Sequence, residues 1–148
     1  MKFDILNRFT GSVQFTAEID CADDAQTSIK VGMAIKWGVR NGADLAGANL
    51  ASANLAGADL ASANLARANG INGWIKCIQI DTYAITYTAD IMQIGCQRHP
   101  IADWAAFSYA QIRAMDGTKA LAWWSKYKAW IFATIELCPA KPTRDETK

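Results

Sequence analysis

The most regular feature of the chain is a five-residue rhythm of apolar and polar positions. From Ala43 it reads Ala-Asp-Leu-Ala-Gly, Ala-Asn-Leu-Ala-Ser, Ala-Asn-Leu-Ala-Gly, Ala-Asp-Leu-Ala-Ser and Ala-Asn-Leu-Ala-Arg, and then Ala68-Asn69-Gly70-Ile71-Asn72. Ala and Leu favour helix. A helix turning about 100° per residue, however, would rotate successive leucines by about 140° and scatter them around the whole barrel. A flat strand fails as well, because an odd period sends alternate leucines to opposite faces. The pattern that serves every unit is a coil turning one corner per unit. In such a coil Leu45, Leu50, Leu55, Leu60 and Leu65, with Ala43, Ala48, Ala53, Ala58, Ala63 and Ala68, all point to one axis. In the sixth unit Gly70 takes the central place of Leu, and Ile71 is expected to fill the gap by a one-residue slip. So short a coil cannot order itself from its own burial and needs a buttress at each end.

The flanks supply candidates for that buttress. Val13, Phe15, Ala17 and Ile19 alternate with polar residues as in a half-buried strand, which Thr10-Gly11 turns back on Lys2 to Arg8 as a hairpin. Asp23 or Asp24 is expected to cap a helix running to Arg40, with Asn41-Gly42 ending it. After the repeat, Trp74 to Ile80, Tyr83 to Thr88 and Ile91 to Gly95 are β-branched and aromatic, predicting three short strands. Pro100 suits the first position of a helical turn carrying Trp104. Ser108 and Gln111 read as a capping box for a helix ending at Asp116-Gly117, and Thr118 as the cap of a last helix closed by Pro139. The expectation is one domain over 1–138, divided into 1–42, 43–72 and 73–138, with a flexible tail at 139–148.

Composition narrows the function classes. Fifteen Lys and Arg against fourteen Asp and Glu leave a net charge of +1, no global field for gathering nucleic acid or anionic lipid. No apolar stretch approaches the roughly 20 residues a bilayer requires, and the first residues lack the apolar run of a secretory signal. A cytoplasmic location is therefore expected, with no membrane partner. Cys21, Cys77, Cys96 and Cys138 form no CxxC pair, which favours reduced, mostly buried thiols.

Candidate chemistry is sparse. Cys96 and His99 are the one pair that suggests nucleophilic catalysis, but no orienting third group is evident, and His99 is the sole histidine. The bland reading is a buried cysteine beside a histidine whose hydrogen bond fixes the turn before Pro100, and contact with a partner is the alternative. Adding Asp103 gives three mixed ligands, too few for a metal site. No phosphate-binding loop, dinucleotide fingerprint or nucleophile elbow is present, so no catalytic residue, cofactor or metal is expected. Trp123, Trp124, Tyr127 and Trp130, with Arg98 and Arg113 upstream, are the candidate partner-binding residues, because interface hot spots favour Trp, Tyr and Arg. The aromatic residues fall on more than one helical stripe, so one stripe is expected in the core and the other either on the strands or in solvent. The outward positions of the repeat carry only small side chains.

The period and its A(D/N)LXX units resemble the pentapeptide-repeat family, whose members fold as right-handed square β-helices with one unit per side. The resemblance implies about one and a half coils here and a mixed α and β fold. A very short square β-helix would be flanked by an N-terminal hairpin plus helix and a C-terminal strand and helix cap. The wider layout, including Gln93-Ile94-Gly95-Cys96-Gln97-Arg98-His99 and Asp103-Trp104, is similar to small pentapeptide-repeat proteins of phages and prophages. It implies a non-catalytic protein-binding module acting in the bacterial host cytoplasm. Its expected partner is a bacterial host protein, such as an antiviral-defence (CRISPR) component that it would inhibit. The alternative is a structural or assembly accessory protein of the phage, able to self-associate as a homodimer. Some family members mimic DNA at a topoisomerase. That needs a long, densely negative rod, and Asp44 and Asp59 against Arg67 do not make one.

Overall fold

The structure, a computed structural model, describes residues 1–51, 53–55, 58–60, 63–70 and 72–143. The chain is mixed helix and sheet. Strands β1 (Lys2–Leu6) and β2 (Val13–Glu18) form an antiparallel hairpin, followed by helix α1 (Thr27–Arg40). After the repeat come β3 (Lys76–Ile80), β4 (Tyr83–Tyr87), β5 (Ile91–Ile94) and β6 (Gln97–Pro100), an antiparallel meander in sequence order. Helices α2 (Ile101–Ala106) and α3 (Tyr109–Leu137) close the chain, α3 being broken at Asp116 and Gly117. Among the described residues no helix is long and apolar enough to cross a membrane.

Two apolar cores result. The first joins the hairpin (Ile5, Ala17), α1 (Val31, Ala34, Ile35) and the repeat, where all five leucines are at most 5% exposed. The second lies between the meander and the helices, around Tyr87, Met92, Trp104, Ile112, Trp123, Trp124 and Ile131. Gln93, a buried residue of β5, ties them together. Its Oε1 accepts from Leu65 N–H at 3.1 Å and its Nε2 donates to Asn64 Oδ1 at 2.9 Å.

The repeat turns one corner per unit. The N–H groups of Ala48, Ala53, Ala58, Ala63 and Ala68 donate to the carbonyls of Leu45, Leu50, Leu55, Leu60 and Leu65 at 3.0–3.1 Å. The Asp or Asn of a unit shapes the same corner: Asp44, Asn49 and Asn64 each accept through Oδ1 from the N–H two residues on. Stacking bonds join positions about twenty residues apart. Asn64 donates to Asp44 and Asn69 to Asn49 through side chains, and Leu50 N–H donates to Asn69 O at 2.9 Å. Because the units number only six, just the last ones overlie the first. The described residues accordingly show one isolated parallel bridge, Asn49 to Asn69, and no closed solenoid.

Several expectations are corrected. Helix α1 starts at Thr27 with Gln26 as its N-cap and without a side-chain cap, so neither Asp23 nor Asp24 caps it. Its end is as expected, with Gly42 at φ +70° and Ala43 N–H returning to Gly38 O. Strand β6 was not legible, because Gln97-Arg98-His99-Pro100 carries no apolar alternation; it is an edge strand, where a proline is tolerated. Pro100 is therefore the N-cap of α2 rather than its first helical residue. Beyond Gly70 the coil meets Ile75, which is fully buried: a Cβ on Gly70 would lie 2.6 Å from Ile75 O. Ile71, Ser52, Ala56, Gly57, Ala61 and Ser62 lie outside the described residues. Ala140 and Lys141, expected in a flexible tail, are tied down. Ala140 is buried, and Lys141 N–H donates to Gly73 O at 2.7 Å.

Candidate functional site

The candidate partner-binding residues divide sharply. Trp123 and Trp124 are core residues, 6% and 2% exposed, and so cannot anchor a partner at the surface. Trp124 packs on Trp104 and Phe132, and Trp123 meets Tyr83 edge-on at 5.2 Å. Both are buried because the two stripes find separate neighbours: Trp123 packs on β4 through Tyr83, and Trp124 on α2 through Trp104. Tyr127 is half-buried, its hydroxyl donating to Asp81 Oδ2 at 2.9 Å. Trp130 alone of the four is exposed, at 44%, and Arg98 and Arg113 are exposed as well.

Cys96 and His99 are not brought together as a reacting pair. Cys96 is exposed in the turn after Gly95, contrary to the expected burial, and Cys138 is exposed too. The His99 ring hydrogen-bonds Gln97 Oε1 at 3.0 Å and meets Trp104 and Phe107 edge-on. Its place is the aromatic cluster under β6. Cys77 donates to Ala68 O at 2.6 Å and its thiol pKa is raised by burial, which disfavours the reactive thiolate. Among the described residues no three His, Cys, Asp or Glu side chains gather to hold a metal.

A surface that the sequence did not advertise lies at the hairpin end. Leu6 and Val13 face each other across the hairpin at 41% and 52% exposure, and Phe9 in the connecting turn is 51% exposed. The turn is firmly held. Asn7 Oδ1 accepts from the N–H groups of Phe9 and Thr10, and Arg8 N–H donates to Gly47 O at 2.8 Å. Gln14 Nε2 bonds the carbonyls of Asp44 and Ala46. Two guanidinium groups contact Phe9, Arg8 at 4.9 Å and Arg67 at 4.6 Å from the ring centroid. Arg8 also reaches the carbonyls of Arg67 and Ala68.

Arg67 occupies the unit position that in the four preceding units holds Gly or Ser, and its backbone is left-handed at φ +58°. Gly47, four units earlier in the same position, adopts φ +69° without a side chain to strain. For an L-residue that conformation costs roughly 1–2 kcal/mol. Such strain tends to cluster at functional positions. The sequence signals were present in retrospect: an arginine breaking an otherwise Gly/Ser position, and an aromatic residue inside a polar turn.

Residues 41–69, about a fifth of the chain, match the family model described as Pentapeptide repeats (8 copies). No curated protein and no solved structure matches the chain.

Proposed function

We propose that this protein is a non-catalytic protein-binding module whose recognition surface is the hairpin end: Phe9 contacted by Arg8 and Arg67, with Leu6 and Val13 beside it. The observation that carries the reading is an exposed aromatic ring contacted by two guanidiniums, on a turn bonded to the repeat, with one arginine in a strained backbone. Aromatic and arginine side chains are the residues that anchor interfaces, and a rigid presentation lowers the entropy lost on binding. Neither arginine has a carboxylate partner among the described residues, so the fitting partner surface is acidic with an apolar notch. Pentapeptide repeats commonly serve protein interaction, which agrees with this role.

The finer parts of the proposal rest on narrower support. The repeat is read as one and a half coils of a right-handed square β-helix, supported by one corner per unit and stacking contacts about twenty residues apart. A phage-type inhibitor of a bacterial host protein, such as an antiviral-defence component, is supported only by the similarity of layout noted in the sequence.

The test uses the intact chain as bait in bacterial lysate, with Phe9→Ala, Arg67→Gly and Trp130→Ala beside it. For the captured partner, Phe9→Ala and Arg67→Gly should each lose at least about tenfold in affinity, about 1.4 kcal/mol. Arg67→Gly should melt no lower than the native chain, because glycine accepts the left-handed backbone. Full binding by both variants, with loss only in Trp130→Ala, would move the surface to α3.

A further inference from the structure

The C-terminal sheet has two edges, and they are finished differently. At one, β6 ends in Pro100 and leads straight into α2. At the other, β3 pairs with β4 alone. The tight turn at Asp81-Thr82 makes Ile80 and Tyr83 a hydrogen-bonded pair, and because such pairs alternate in an antiparallel ladder, Lys76 and Ile78 also bond to β4. The other side of β4 agrees. Gly95 N–H donates to Ala84 O and Thr88 N–H to Ile91 O, so Ala84 and Thr88 turn towards β5, and Tyr83, Ile85 and Tyr87 towards β3. The N–H and C=O groups of Cys77 and Gln79 therefore point away from the sheet, and among the described residues they meet no main-chain partner.

This edge opens into a groove of about 570 Å³ with a wall on each face of the sheet. Alternation puts Cys77 on one face, where its thiol donates to Ala68 O of the repeat, and Lys76 and Ile78 on the other. The end of α3 lies over that second face, because Tyr87, the cross-strand neighbour of Lys76, donates through its hydroxyl to Cys138 O at 2.6 Å. Asn69 and Asn72 line the repeat wall, and Thr134 and Cys138 the helix wall. Two cations reach the groove, and among the described residues no carboxylate lines it. Arg8 comes in beside Cys77, since both donate to Ala68 O, and Lys76 lies on the α3 side.

We propose that the edge of β3 takes up an extended, acidic segment of a protein partner as an added strand. Cys77 and Gln79 offer their N–H and C=O groups to its main chain and the two walls take its alternate side chains, as in other cases of strand addition. The five residues of β3 span about 17 Å, which fits a segment of about five to seven residues. Acidity follows from charge: carboxylates on the two faces of the segment would meet Arg8 on one wall and Lys76 on the other. The same charges oppose a second copy of this chain, which would bring another Lys76 to the edge, and lysine on an edge strand is a recurrent guard against such pairing. Arg8 also contacts Phe9, so the groove continues the hairpin end. The proposal rests on the protein-binding role given above and names the form of the partner.

The test selects random heptapeptides from a display library on the intact chain and synthesises the strongest binder. Selected sequences should be rich in Asp and Glu. Changing those residues to Asn and Gln in the peptide, or Lys76→Glu in the protein, should each weaken binding at least about tenfold. Methylating alternate backbone nitrogens of the peptide separates strand addition from side-chain docking on the native chain, because in an added strand every second residue bonds to β3. One methylated set should lose at least about tenfold, and the other should stay within about threefold. Phe9→Ala should bind the peptide as the native chain does, so this result stands or falls separately from the hairpin end, which Phe9→Ala tests by partner capture. The proposal is overturned if no selected peptide binds saturably, if binding is indifferent to Lys76→Glu or lost in Phe9→Ala, or if the two methylated sets behave alike. Sedimentation of the native chain as a dimer from which the peptide releases no monomer would give the edge to a second copy, and overturns it too.

Discussion

Substitution of Gly32 by alanine tests how the first core is assembled. In a solvent-facing helix this change stabilises by about 1 kcal/mol, because glycine loses more backbone entropy on folding. Gly32, however, lies where α1 crosses the repeat. A Cβ there would lie 2.0 Å from Asn54 O and 2.9 Å from Asn54 C, both backbone atoms. Reaching an ordinary contact of 3.4 Å requires a shift of about 1.4 Å between helix and coil. The same crossing holds the bond from Asn54 N–H to Ser28 O at 3.0 Å. Overpacking of this kind costs about 1–3 kcal/mol, and a broken buried bond adds roughly 1 kcal/mol. Set against the helix gain, the net is a loss of about 1–3 kcal/mol. For a chain of this length that is a fall of roughly 2–4 °C in Tm per kcal/mol.

Gly38→Ala is the internal comparison, since it lies in the same helix and brings the same propensity gain. Its nearest obstacles are ring atoms of Phe15 at 2.7 and 2.9 Å, the far end of a side chain that is only partly buried. A ring can swing where a peptide carbonyl cannot. Gly38→Ala should therefore lose less than Gly32→Ala, by about 1 kcal/mol or more in chemical denaturation. If Gly32→Ala melts higher than the native chain, or the two variants change places, α1 does not lie against Asn54 as described.

Two further outcomes follow from named bonds. Gln93→Met keeps the volume but leaves Leu65 N–H buried without its acceptor, and should cost about 1–3 kcal/mol by denaturant melt; a neutral result would mean the two cores are not joined through this residue. Tyr83 and Tyr87 are both pushed up to about 12, by burial first and then by Asp116 and by Cys138 respectively. The neutral phenol is thus favoured in the folded state, and its stabilisation is complete below pH 10 and lost as pH rises through about 12. Melts of the native chain should fall across that window and those of Tyr83→Phe/Tyr87→Phe should fall less; equal slopes would refute the assignment.

What was legible in the sequence was what repeats or alternates. The five-residue period marked Leu45 through Leu65 because one side-chain type had to find one environment in every unit. Val13, Phe15 and Ala17 marked a strand through period two, and Ser108 with Gln111 marked a helix start, where both reciprocal bonds are present. Strand β6 was hidden because edge pairing is a main-chain matter: Arg98 and His99 pair in register with Gln93 and Met92 of β5 without needing apolar side chains. The burial of both Trp123 and Trp124 was hidden for a related reason. Helical spacing assigns them to different stripes, and a one-dimensional pattern does not show that β4 covers one stripe through Tyr83 while α2 covers the other through Trp104. Lone breaks in a pattern carry no period to read.

The same contrast separates framework from function in this chain. The repeat fixes the hairpin end through Gly47 O, Asp44 O, Ala46 O and Asn49 N–H. Gly47 and Arg67 occupy equivalent places four units apart, and both have left-handed backbones. At Gly47 the conformation is free of side-chain strain, and its missing Cβ leaves room for Asn7 and Phe9, which would lie 3.1 and 3.5 Å from it. At Arg67 the conformation is strained, and glycine would be the more stable choice for the coil. The Arg67 guanidinium lies over the Phe9 ring, a contact that offsets part of this strain. The repeat holds Arg67 over the Phe9 ring beside Arg8, and the departure from its own pattern coincides with the surface proposed for recognition.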